Sequence, residues 1–497
     1  MNQSRWTAIF ILSATIGGVR VAAAEPTATP PRRLVELKPC SPKGLETAAT
    51  CATYDVFENR KAGTGRRIPL KIVVLPALEP EKRQPDPLFI LAGGPGQAAT
   101  ENAKFLARVF AGVRANRDIV MVDQRGTGGS NRLDCDLYGP TVQGHLRDLL
   151  PLESIRPCLE QWKTHADLRF YTTDLAMADL DEVRSAMGYE RISLFGTSYG
   201  TRAAQVFMRQ YPSHVRRVIM KGVTPIAVPL TAPMAKDAQR ALDGLQSDCG
   251  ADPQCHAAFP NLKDEIKTVF DRLERDVEVD LPDPAAAGKK QRITISRAAV
   301  GPTIRSLLQS VEGTAQVPLL IHRAFEGDYA PIANAALAIR RSFPKGVSIG
   351  MFLSVTAAED VAVSDEKSIA HASEKTFLRD DYFKQLQRAA EILPKVEMPA
   401  DYHAPLKSDI PTLLISGFLD PATPPDGAEE VSRQLPNAMH VIVRQGSHSY
   451  GGLSPCVDRI MADFLTRDST NGIDLSCVNL VRRPPFAVKL DAKQPVE

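Results

Sequence analysis

Arg191-Ile192-Ser193-Leu194-Phe195-Gly196-Thr197-Ser198-Tyr199-Gly200 runs from a short apolar segment into a Gly-x-Ser-x-Gly turn, and Arg202 to Arg209 continue as a helical stretch. A serine flanked this way, between a strand and a helix, forms a nucleophile elbow. The turn is so tight that side chains at the flanking positions would meet neighbouring backbone, so glycine is required there and the serine stands at the strand's carboxyl end. The bare pattern is weak because glycine is common. Its setting gives it weight.

A serine hydroxyl is a poor nucleophile at neutral pH, so a base must take its proton and a third group must orient that base. On such an elbow the acid and then the histidine follow later in the chain. Thr412-Leu-Leu-Ile-Ser-Gly417-Phe-Leu-Asp420 is a buried strand with Asp420 just past its end, and the next strand leads into Arg444-Gln-Gly446-Ser-His448. Asp420 and His448 therefore complete a triad with Ser198. Asp426 competes with Asp420, but it lies beyond Pro424-Pro425 and farther from the strand. The oxyanion of a tetrahedral intermediate needs rigid N–H donors. Tyr199 supplies one by the elbow geometry, and Gly94 of Gly93-Gly94-Pro95-Gly96, after the apolar run Leu88 to Ala92, is expected to supply the other.

That glycine loop also imitates a dinucleotide fingerprint, with Gly94-x-Gly96-x-x-Ala99 after a strand and Asp123 ending the next. A nicotinamide-dependent oxidoreductase is thus the rival from another class. Pro95 weakens it by removing an N–H from the phosphate cradle, and it leaves the triad unexplained.

Further apolar runs at Leu70 to Leu75, Ile119 to Asp123, Ile192 to Phe195, Val215 to Met220 and His440 to Val443 are continuous rather than alternating, as strands buried on both faces of a parallel sheet should be. Helical patterns lie between them. One is expected from Thr173, as its cap, to Met187, ended by Gly188. Between Met220 and Thr412 the alternation breaks for too long a stretch to be a loop. It holds a helical stripe of Leu262, Ile266, Val269, Phe270 and Leu273, a turn region at Pro282 to Gly288, a strand at Arg292 to Ile295, and a helix capped by Ser296.

The chain has 497 residues, 43% hydrophobic and 24% charged, with a formal charge of +2. This suits a globular enzyme with a full core and an accessory domain, and favours neither nucleic acid nor an anionic membrane as partner. Arg5, the apolar run Trp6 to Val19 and Ala22-Ala23-Ala24 read as a signal peptide cleaved after Ala24. The alternative, a membrane anchor, is disfavoured by the run's shortness and by Arg20. No later run approaches about 20 apolar residues, so no stable membrane insertion is expected. Export suits the eight cysteines, which fall in close pairs: Cys40 with Cys51, Cys135 with Cys158, Cys249 with Cys255, Cys456 with Cys477. Connectivity stays open, since eight cysteines permit on the order of 100 pairings, although closure entropy favours neighbours. No metal site is expected: there is no Cys-x-x-Cys, and His256 beside Cys255 has no partner at ligand spacing.

Gly93-Gly94-Pro95-Gly96, Asp123-Gln-Arg125-Gly126-Thr-Gly128-x-Ser130, Gly196-Thr-Ser198-Tyr-Gly200, Gly417-x-x-Asp420-Pro421-x-Thr423-Pro424 and Gly446-Ser-His448 together resemble the prolyl-aminopeptidase and tripeptidyl-aminopeptidase branch of the α/β-hydrolases. The resemblance implies an α/β-hydrolase fold, a mostly parallel sheet flanked by helices, with an inserted, mainly helical cap. The expected order is signal peptide 1–24, lead-in 25–33, core 34–225, cap 226–408, core 409–482 and C-terminal tail 483–497. It implies that Asp123 and Arg125 buttress the site. It also implies that a cap carboxylate holds the substrate's free α-amine: Ser354-Val-Thr-Ala-Ala-Glu359-Asp360 resembles the stretch that supplies one, making Glu359 the candidate and Asp360 the second. Two positions depart from the branch, Ala92 where relatives carry His before the glycines and Ala357 where they often carry Cys. The expected activity is an exported serine aminopeptidase acting on peptides and needing no cofactor. A carboxylesterase with the same triad is the alternative, and a catalytically dead binding scaffold is disfavoured because every triad member is present. Nothing in the sequence specifies an oligomeric state.

Overall fold

The computed structural model describes residues 35–282, 288–450, 454–467 and 470–490. The expected signal peptide and lead-in, and part of the Pro282 to Gly288 turn, lie outside them. Eleven strands are present among these residues: β1 (Lys38–Cys40), β2 (Ala49–Phe57), β3 (Arg67–Leu75), β4 (Leu88–Leu91), β5 (Ile119–Val122), β6 (Ile192–Thr197), β7 (Val215–Lys221), β8 (Val277–Pro282), β9 (Lys290–Ile295), β10 (Thr412–Gly417) and β11 (Ala438–Val443). Nine form one sheet in the order β1-β2-β3-β5-β4-β6-β7-β10-β11. From β5 to β11 every pairing is parallel, while β1, β2 and β3 add an antiparallel edge.

The parallel strands are apolar throughout because helices cover both faces; β4 and β5 have no exposed residue. On one face the helix Thr173–Ala186 buries Ala176, Met177, Leu180 and Val183. Its cap position is Thr172, not Thr173, which is the first helical residue and points its hydroxyl elsewhere. The strands β1 and β2 of the antiparallel edge were not anticipated, since β1 is short and exposed and β2 mixes polar with apolar residues.

Register brings the strand ends into line. Leu91 pairs with Gly196, Thr197 with Lys221, Lys221's neighbour strand β10 pairs through Ile415, and Gly417 pairs with Val443. The carboxyl ends of β4, β6, β7, β10 and β11 therefore share one edge of the sheet, the place where ligands bind in open α/β sheets.

The segment between β7 and β10 is mainly helical, with β8 and β9 as a separate two-stranded sheet. Much of it packs on its own apolar cluster, including Leu242, Val269, Ile304, Leu320 and Ala336. Part of it does not. Ile349, Met351, Leu353 and Val355 are buried in the main core, and the Ser348 N–H bonds the Gly96 carbonyl at 2.9 Å. The described part of the C-terminal tail is packed as well: Phe486 joins the helical cluster and Arg483 pairs with Asp248 at 2.8 Å. All four neighbouring cysteine pairs are joined as disulfides, with Cα–Cα distances of 5.8, 5.6, 5.1 and 5.8 Å. No single helix among the described residues is long and apolar enough to cross a membrane.

Candidate active site

Ser198 sits between β6 and the helix Tyr199–Gln210 with φ 55° and ψ −128°, a left-handed conformation that is strained for a side-chain-bearing residue. Backbone crowding explains both glycines. A Cβ on Gly196 would stand 2.4 Å from the Gly200 carbonyl oxygen, and one on Gly200 would stand 2.2 Å from that of Leu91. The Ser198 N–H bonds the Lys221 carbonyl at 2.9 Å, tying the turn to β7.

Asp420 is fully buried in the loop after β10, and its Oδ2 lies 2.8 Å from Nδ1 of His448. The same carboxylate accepts the N–H groups of Ala422 and Thr423 at 2.7 and 2.9 Å and the Thr423 hydroxyl at 2.8 Å. Burial alone would raise its pKa, but the His448 charge and these bonds outweigh it and hold the group at about 2. Gly222 makes room for the imidazole, since a Cβ there would lie 3.3 Å from His448 Cε1. Ser198, His448 and Gly94 line one cavity of about 480 Å³. No Ser198–His448 hydrogen bond is formed in this conformation, and such contacts commonly tighten only with substrate. Tyr199 opens its helix, so its N–H has no intrahelical acceptor.

The Asp-Gln-Arg-Gly loop is structural. The Asp123 carboxylate accepts the Thr100 N–H and hydroxyl and the Gly129 N–H at 2.8 to 2.9 Å. Arg125 is fully buried and grips Asp179 through two bonds of 2.7 Å, with the Glu58 and Phe170 carbonyls as further acceptors.

Glu359 and Asp360 are not where an α-amine could meet them. Both are fully buried and neither lines the cavity. Glu359 accepts the Thr173 N–H at 2.7 Å, the Thr173 hydroxyl at 2.8 Å and the Tyr402 hydroxyl, which fills its carboxylate with internal donors. Thr173 in turn is 2.7 Å from the Tyr199 hydroxyl, so the network lies directly beneath the elbow. Burial raises the Glu359 carboxyl to about 7, against the Arg202 charge and these bonds. Asp360 is paired with the equally buried Arg202 at 2.7 Å and accepts the Leu230 N–H. Neither departure was legible, because the sequence shows an acidic pair but not the π-helical turn Thr356–Asp360 that rotates it inward.

The sequence reading also missed Thr423 and Gly222, which shape the histidine's seat, and three cations in the cavity wall, Lys221, Arg305 and Arg340. Thr423 stands in a quoted motif. Arg305 and Arg340 lie in helices with no motif at all.

Fold and site together define an α/β-hydrolase, an enzyme of the serine hydrolase class. Residues 86–254 match the family model described as alpha/beta hydrolase fold, and residues 386–477 match that described as TAP-like protein. The chain is 26% identical to the tripeptidyl aminopeptidase of Streptomyces coelicolor, over 78% of this chain and 75% of that protein. It is 24% identical to serine protease Hip1 of Mycobacterium tuberculosis, over 93% of this chain and 94% of that one. The crystal structure of proline iminopeptidase from Mycobacterium smegmatis aligns over 84% of this chain and 98% of its own, at 16% identity and a TM-score of 0.40. The chain is an α/β-hydrolase similar to these serine peptidases, with residues 386–477 matching the TAP-like model.

Proposed function

We propose that this protein is an exported serine peptidase that releases an N-terminal residue or short peptide through an acyl-enzyme on Ser198. The observation that carries the reading is the convergence on one cavity of a strained elbow serine and a histidine held by a buried carboxylate at 2.8 Å. Ser198 attacks the carbonyl, His448 takes its proton and returns it to the leaving amine, and Asp420 fixes the imidazole tautomer. The N–H groups of Tyr199 and Gly94 receive the oxyanion. Water then hydrolyses the acyl-enzyme. The relatives' names support a peptide substrate, and the four disulfides support an oxidising compartment, a periplasm or the outside of the cell.

One observation favours keeping ester hydrolysis as a second reading. No carboxylate among the described residues lines the cavity to receive an α-ammonium. The test is a panel of chromogenic amides carrying one to three residues, with free or acetylated N-termini, beside a short-chain ester, hydrolysed by wild type and by Ser198→Ala. Cleavage of free-amine amides that disappears in the variant supports the aminopeptidase. Cleavage of the ester alone makes the protein a carboxylesterase, and activity surviving in Ser198→Ala overturns the mechanism.

A further inference from the structure

We propose that the substrate carries a carboxylate, and that Arg305 and Arg340 bind it. This rests on the reading of the Ser198 cavity as the substrate site. Arg305 belongs to the helix Arg297–Leu307 and Arg340 to the helix Ala330–Gly346, and both line the cavity that holds Ser198 and His448. Among the described residues neither has a carboxylate within ion-pair distance. Arg340 is 1% exposed; its Nη2 donates to the Ala298 carbonyl at 3.0 Å, its guanidinium lies 5.9 Å from the Tyr138 ring centre, and its Nη1 has no acceptor among the described residues. The Nε of Arg305 has none either. The carboxylates that influence Arg305 are Asp237 and Asp420, and Asp420 is committed to His448.

Most of the chain's other buried guanidinium groups have a carboxylate partner, while Arg114 is held instead by the Pro76 and Ala48 carbonyls and the Thr47 hydroxyl. Arg117 pairs with Asp86, Arg125 with Asp179, Arg184 with Asp181, Arg202 with Asp360 and Arg297 with Glu274, all at 3.1 Å or closer. A buried charge without a partner is costly. Arg340, buried, and Arg305, half-buried, line the same cavity as Ser198, where a ligand can supply the missing anion. The planar fork of a guanidinium matches a carboxylate in two parallel bonds. Tyr382, which both arginines influence and which lines the same wall, is pushed up to about 12 by burial and stays a neutral O–H donor. Lys221, with its Nζ 4.7 Å from the Tyr450 ring centre and its pKa lowered by burial, adds a third basic side chain to a lining that contains no Asp or Glu among the described residues.

A carboxylate reaches this site from one of two sources, an acidic side chain on the acyl side of the scissile bond or the free C-terminus of a short peptide. The experiment separates them. Short peptides are prepared with Glu or Gln on the acyl side, and each with a free or amidated C-terminus, and kcat/KM is measured for wild type, Arg305→Gln, Arg340→Gln and Arg305→Lys, with thermal unfolding as the control for folding. Wild type should favour the carboxylate-bearing member of one pair about tenfold or more, with the difference mainly in KM. That ratio should collapse towards one in both Gln variants and survive in part in Arg305→Lys. A wild type that hydrolyses these peptides without preferring either carboxylate overturns the proposal, as does a ratio unchanged in the Gln variants. If wild type hydrolyses no peptide or ester, the proposed function fails by itself, and calorimetry with glutarate and its diamide judges the arginine site. Glutarate binding that is lost in Arg305→Gln supports the site; its absence in wild type refutes it.

Discussion

The acid of the proposed triad and the buried glutamate beneath it respond to pH in opposite senses. Asp420 is held at about 2, below its ordinary 3.8, so its contribution to stability is present above pH 3.8 and is lost as pH falls towards 2. That contribution is on the order of 2 kcal/mol. Asp420→Asn should keep the fold but lower kcat by roughly 10⁴, because the imidazole loses its orienting charge; steady-state kinetics at neutral pH checks this. Glu359 is raised from 4.5 to about 7, so the folded protein holds its proton more tightly than the unfolded chain. Its contribution is complete below pH 4.5 and is lost as pH rises through 7, a difference on the order of 3 kcal/mol. Melting temperatures of Glu359→Gln should accordingly vary less between pH 5 and 8 than those of wild type. Because Glu359 acts on Tyr199 through Thr173, the same variant should slow free-amine and N-acetylated substrates alike. Selective loss on free-amine substrates would restore it as an amine ligand.

The site is assembled by element ends, and there the fit is set by backbone rather than by side chains. Gly200→Ala drives a methyl to within 2.2 Å of the Leu91 carbonyl oxygen, so the elbow and the end of β4 cannot both keep their places. A loss of about 3 kcal/mol or more is expected, together with loss of covalent labelling of Ser198 by a fluorophosphonate. Arg125→Met leaves Asp179 buried beside only Arg60, and should cost about 3 kcal/mol in urea unfolding. These elements were legible for a physical reason. Tight turns admit few residues, so Gly196, Gly200 and the order Ser198, Asp420, His448 could be read directly, and continuous apolar runs marked the parallel strands. Of the antiparallel edge, β3 was legible as an apolar run but read as parallel, while β1 and β2 were missed because β1 is short and β2 carries half-exposed polar residues. The cavity cations and the inward turn of Glu359 depend on how distant helices pack, which no local pattern encodes.

On the scale of the whole molecule, the disulfides close short stretches, with sequence separations of 6 to 23 residues, and so each restrains its own neighbourhood. The Cys135–Cys158 bridge lies in the main core, and replacing both residues with serine should lower stability by about 3 kcal/mol, read from denaturant midpoints. The helical segment between β7 and β10 looks in sequence like a single insertion, yet it divides its loyalty between its own apolar cluster and the clusters on the sheet. Its residues from Val347 to Val355 fill the main core, and the Ser348 hydroxyl bonds the Gly126 carbonyl at 2.5 Å. For anyone transplanting lids between enzymes of this fold, the graft border therefore falls before Val347. A donor segment that replaces 234–346 touches the sheet's packing only at its margin, through Val311 and Phe343, whereas one that runs on to 408 removes part of the wall against which the glycine loop is built.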